Sequence, residues 1–145
     1  MINLPEDQKI WVPWMRRSIQ LALLAEGRTS PNPLVGAVVM DSRGRLVGEG
    51  FHSGAGKAHA EVVALAQAGE RSVDGTIVVT LEPCCHHGLT PPCTEAIISA
   101  GLKKVVVGMV DPDPRVSGNG ILRLRDSGLE VIEGVLKEEC EWINR

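Results

Sequence analysis

Three short apolar runs, LVGAVVM (34–40), TIVVTL (76–81) and KVVVGMV (104–110), constrain the fold more than any other feature of this 145-residue chain. A continuous apolar run bounded by turn residues reads as a strand buried on both faces, and such strands need helices above and below them. Helical patterns fill the intervals. One runs from Pro13, in its first turn, to about Glu26, with Met15, Ile19, Ala22 and Leu23 on one face and Gly27 as its stop. Others cover about 59–68, about 92–100 with Gly101 as the stop, and GNGILRLRDSG; the terminal LKEECEWINR also reads as helical. The DSRG turn folds RLVGEGFH back on the first run as an antiparallel strand, and LEVIEGV supplies a fifth strand. A hairpin followed by β-α-β-α-β units specifies parallel later strands with right-handed crossovers. The fold class is α/β, a three-layer α/β/α sandwich on a mixed five-stranded sheet, in one domain over 1–145.

Ligands of such sheets gather beyond the carboxyl ends of the strands. The loop after Leu81 and the loop beginning at Asp111 lie at that rim, and a helix starting at His59 can reach it. Charge narrows the partner. With 18 acidic against 15 basic residues the net charge is −3, and the aromatics are Phe51 and three Trp. A nucleic-acid surface needs a basic face and stacking rings, so the expected partner is a small molecule and not a nucleic acid. No apolar run has the length of a membrane span, and MINLPEDQKIW lacks the basic start and apolar core of a signal peptide. The expected setting is cytoplasmic, with no membrane. There, clustered cysteines serve metals or catalysis rather than disulfides.

TLEPCCHHGLTPPC (80–93) holds three of the four cysteines. Cys84 follows the third strand, Cys93 opens the next helix, and His59 opens the helix before, in HAE. One imidazole and two thiolates form a zinc set with an open fourth position, the mark of a catalytic rather than a structural site. Such an ion acidifies a bound water. Glu61, two residues past His59, does not share its metal-facing direction; it reads as the proton-transferring acid and base. HAE alone is common at a helix start. HAE opening a helix together with EPC closing the next strand matches the zinc-deaminase signature. Cys85 points away from Cys84 on an extended backbone, His86 and His87 read as loop residues, and Cys140 reads as a packing thiol.

The cysteine spacing departs from the usual C-x-x-C, with CHHGLTPP between Cys84 and Cys93. That segment, with SPNPLVGAVV, GEGFH, HAEVVAL, TLEPC, TPPCTEAI, AGLKKVVVGMVDPDP and GNGI, resembles the deaminase domain of the bifunctional riboflavin-biosynthesis deaminases. The resemblance covers nearly the whole chain. It implies a cytidine deaminase-like fold, one Zn2+ per chain on His59, Cys84 and Cys93, and Glu61 as the catalytic proton carrier. It also implies hydrolytic deamination of a diaminopyrimidinone carrying a ribosylamino 5′-phosphate. Asn32 and His52 match substrate-contacting residues. For Asn32 the alternative is a turn residue capping its own backbone, against which its place in SPNP just before the core strand favours substrate contact. On pattern alone His52 is a surface residue at a strand end. Asp111 and Asp113, in DPDP, match the loop lining the ribosyl-phosphate side.

Two positions depart from the family. Leu89 stands where a basic residue usually does, and Asp113 stands where Asn usually does. Both concern the phosphate end, where Lys57 or Arg115 is the expected replacement charge. The resemblance further implies a homodimer or larger homo-oligomer and, in many members, a C-terminal NADPH-dependent reductase domain. The competing expectations are a deaminase of a related non-phosphorylated pyrimidine or purine, and an inactive regulatory module. The second sits badly with four intact site residues.

Overall fold

The computed structural model describes residues 5–27, 32–54, 56–85 and 91–144. A one-turn helix α1 (Glu6–Lys9) precedes α2 (Val12–Leu23), and β1 (Gly36–Met40) and β2 (Leu46–Phe51) form the hairpin. After α3 (Ala60–Ala68) and a 3-10 turn come β3 (Thr76–Leu81), α4 (Cys93–Ser99), β4 (Lys104–Met109), α5 (Asn119–Asp126), β5 (Glu130–Glu133) and α6 (Lys137–Trp142). The sheet order is β2-β1-β3-β4-β5. β1 is antiparallel to both β2 and β3, whereas β3, β4 and β5 run parallel. The mixed five-stranded sheet is as expected from the three apolar runs. The first strand starts two residues later than its run, and the fifth ends at Glu133, where Gly134 turns the chain with φ 84°.

Alternation along the buried strands divides the core into two layers. Ala37, Val39, Ile77, Val79, Val105 and Val107 face one way, against Ala60, Ala64 and Ala68 of α3, Ile97 of α4 and Leu124 of α5. Val38, Met40, Val78 and Val106 face the other way, against Met15 and Leu21 of α2 and Cys140 of α6. Each fully buried valine contributes about 1.5–3 kcal/mol relative to an exposed one. The cysteine in α6 is therefore the packing thiol anticipated, and burial pushes its pKa up to about 12.

One face was read wrongly. The buried stripe of α2 carries Met15, Ser18, Leu21 and Ala22, while Leu23 is exposed. The helix is turned toward Gly36, where a Cβ would overlap the carbonyl oxygen of Ser18. Ser18 tolerates burial because its hydroxyl donates to the carbonyls of Trp14, at 3.0 Å, or Val78, at 3.1 Å. Helix and sheet thus approach closely at a glycine, and that contact decides the rotation.

Candidate active site

The three zinc-type ligands converge. His59 is the N-cap of α3, in extended conformation and with no side-chain capping bond, which leaves its ring free to face outward. Cys84 lies three residues beyond β3, and Cys93 is the first residue of α4 after Pro92. His59 Nδ1 lies 3.2 Å from Cys93 Sγ and 3.9 Å from Cys84 Sγ, and all three ligand atoms fall within 4.8 Å of one another. Zinc bonds of the usual length at tetrahedral angles separate N and S ligands by about 3.5 Å, so the donor set and its spacing fit the ion. The Cys93 backbone N–H also donates to Cys84 Sγ at 3.3 Å.

Charge is already organised for a cation. The Cys93 thiol donates to Cys84, and His59 assists, which lowers the Cys84 pKa to about 4. The same donation, with burial, pushes Cys93 up, while the Cys84 sulfur raises His59. His59, Cys84 and Cys93 would hold a zinc ion with the cysteines as thiolates and the imidazole neutral, so binding there would be proton-linked. Glu61 lies against the triad with only 4% exposure, and burial raises its pKa from 4.5 to about 7. A carboxyl near neutrality both takes and returns a proton under physiological conditions.

His52 is buried, with 4% exposure, which corrects its reading as a surface residue. Its Nδ1–H donates to the Ala58 carbonyl at 3.2 Å, so its Nε2 accepts from Asn32 Nδ2 at 3.3 Å. The His52 ring stands edge-on to His59, with centroids 5.3 Å apart. The chain segment just before the ligand folds over the strand end, and a strand pattern contains no trace of that.

Asp111 and Asp113 are outside the ligand cluster. Asp111 Oδ1 accepts the Asp113 backbone N–H at 2.9 Å, and Asp111 shares a small recess with Cys84 and Cys85. Asp113 is held by Arg115 through Nε at 3.2 Å and an Nη at 2.8 Å, and that pairing lowers its pKa to about 2. Both aspartates line an open cleft of about 1310 Å³ together with Asn32, Leu34, Lys137 and Asn144. The cleft lining reaches Asn32 but not the triad itself; the Asn32–His52 bond is the bridge between them. Cys85 is half-buried and outside the triad, and burial raises its pKa. His86, His87 and Leu89 lie outside the described residues.

Sequence reasoning missed Glu82. Its buried carboxylate accepts the backbone N–H groups of Asp111 (3.0 Å), Gly118 (3.0 Å) and Ile121 (3.1 Å), which ties the Asp111 loop to the segment leading from β3 to Cys84. The signal was an acidic residue in TLEPC, joined directly to a buried strand where solvation is lost.

Residues 11–109 match the cytidine and deoxycytidylate deaminase zinc-binding region family. The riboflavin biosynthesis protein RibD of Synechocystis is 56% identical over 130 residues, 90% of this chain and 35% of that protein. The diaminohydroxyphosphoribosylamino-pyrimidine deaminase of Buchnera aphidicola is 48% identical over 91% of this chain and 89% of its own length. Among solved structures, the diaminohydroxyphosphoribosylaminopyrimidine deaminase/5-amino-6-(5-phosphoribosylamino)uracil reductase of Thermotoga maritima superposes with a TM-score of 0.90. It is 49% identical, and the match covers 96% of this chain and 40% of that one. The chain thus spans little more than a third of the Synechocystis relative.

Proposed function

Because this chain belongs to the zinc-binding cytidine and deoxycytidylate deaminases, in their riboflavin-biosynthesis branch, we propose that it deaminates 2,5-diamino-6-ribosylamino-4(3H)-pyrimidinone 5′-phosphate. Water replaces the amino group of the pyrimidine and ammonia leaves, giving the 5-amino-6-ribosylamino-pyrimidinedione 5′-phosphate. The observation that carries this reading is the convergence of His59, Cys84 and Cys93 beside a buried Glu61. Bound by those three residues, zinc supplies an acidified water as the source of the nucleophile.

The chain's own groups do the rest. The Glu61 carboxylate takes up the proton lost from water and delivers it to the departing amino nitrogen. Its raised pKa keeps that return step accessible. His52, locked as the Nδ1–H form by the Ala58 carbonyl, holds the Asn32 carboxamide beside the zinc centre, where both contact the pyrimidine. Asp111 and Asp113 shape the ribosyl-phosphate side from the cleft. Asp113 occupies the charge of Arg115, which leaves the exposed Lys57 as the other of the two expected counter-ions for the phosphate.

We assign 1–145 to one deaminase domain working as a homo-oligomer, alongside a reductase domain of the kind named in the Thermotoga protein, for which we propose NADPH as the reductant. A cytoplasmic setting accords with four free cysteines. Among the described residues no helix is long and apolar enough to cross a membrane. Glu61→Gln tests the chemistry: ammonia release falls roughly 10²–10⁴-fold while zinc content is unchanged. Full activity in that variant removes Glu61 from the mechanism.

A further inference from the structure

Asn144 makes a contact that neither the metal centre nor the core requires. Its Oδ1 accepts the Leu34 backbone N–H at 2.7 Å, and its Nδ2 donates to the Leu34 carbonyl at 3.0 Å, across 110 residues of sequence. One side-chain amide therefore satisfies both polar groups of a single residue, as a strand neighbour would. The register explains the vacancy that it fills. Ala37 pairs with Val79 and Val38 with Val78, and the Gly36 N–H donates to Thr80 Oγ1 on the same side of β1. Continuing that register places residue 82 opposite Leu34, but β3 ends at Leu81. The Asn144 carboxamide stands in for the missing strand residue.

Leu34 is a sensitive place to hold. Its side chain is buried in a small cluster with Ala22 and Ala25, against which Ile143 packs, so Ile143 and Asn144 grip the same segment. Pro33 joins Leu34 to Asn32; its ring fixes φ and restricts the residue before it, making this connection stiff. Asn32 Nδ2 bonds His52 Nε2, and the Val35 carbonyl accepts the His52 backbone N–H at 3.1 Å. Segment 32–35 therefore embraces His52 at both ends, and Asn144 fixes its middle.

We infer that Asn144 is a positioning residue for the substrate-facing Asn32, acting through the backbone of Leu34. The inference rests on the reading of Asn32 as a substrate contact. Asn suits the role as a one-carbon amide offering an acceptor and a donor side by side. An Asp retains only the acceptor.

The test is steady-state ammonia release from the pyrimidine ribosyl phosphate by Asn144→Ala, Asn144→Asp, Asn32→Ala and the Asn32→Ala/Asn144→Ala double variant. Asn144→Ala raises KM roughly tenfold, as a displaced binding group does, with kcat nearly unchanged and zinc still at one per chain. Asn144→Asp gives an intermediate KM, and carries the test if the alanine variant does not fold. In the Asn32→Ala background the second substitution adds nothing to KM, because the group being positioned is gone. A lowered Tm with KM unchanged marks a purely structural role and overturns the inference. So do KM penalties that multiply in the double variant. A silent Asn32→Ala instead removes the substrate contact itself, and the inference with it.

Discussion

Burial at Glu61 has a thermodynamic cost that appears whenever its carboxyl ionises. The group titrates at 4.5 when exposed and at about 7 in the fold. Below pH 4.5 it is protonated in both folded and unfolded chains, so nothing is lost. Between the two values the folded chain binds the extra proton, and stability falls as pH rises; above 7 the full cost is present. In metal-free protein, urea unfolding at pH 5 and pH 8 should therefore show the advantage of Glu61→Gln over wild type growing by on the order of 2 kcal/mol. Parallel profiles would mean that Glu61 is solvated. The ligand residues were legible because HAE and EPC announce their chemistry locally. The burial of His52 and the part played by Glu82 were not, because both depend on chain segments folding over them from elsewhere.

At the scale of elements, the continuous burial of β1, β3 and β4 was readable from their apolar runs, since a strand covered on both faces needs no polar residue. The rotation of α2 was not readable. Helical period allows Leu23 on the apolar face, and only the approach of Ser18 to Gly36 excludes it. That contact predicts the effect of Gly36→Ala, whose methyl must displace a helix backbone rather than a flexible side chain. The variant should lose about 1–3 kcal/mol in denaturant unfolding and keep its zinc. An unchanged midpoint would show that α2 can move away freely. Strand ends were misjudged by two residues, at Leu34 and after Glu133, because apolar residues continue past the last ladder bond.

Over the whole molecule, a cleft assembled from segments near 26–34, 108–113 and 133–144 is linked through the Asn32–His52 bond to a metal centre assembled from two helix starts and the segment after a strand end. No local pattern encodes that meeting, which follows from the sheet order β2-β1-β3-β4-β5. It puts Asn32 where both regions join and gives the cleft the aspartates of DPDP. Within the DPDP loop itself Arg115 pairs with Asp113 two residues away, which removes one of the two cations expected to replace the charge missing at Leu89. The central claim is that this assembly is a zinc aminohydrolase for the pyrimidine ribosyl phosphate. The most direct measurement is ammonia release from that compound by protein stripped of metal and then titrated with zinc. Activity should be absent without metal, return in proportion to zinc and level off at one ion per chain. Ammonia release that persists without metal, or none at full zinc occupancy, would contradict it.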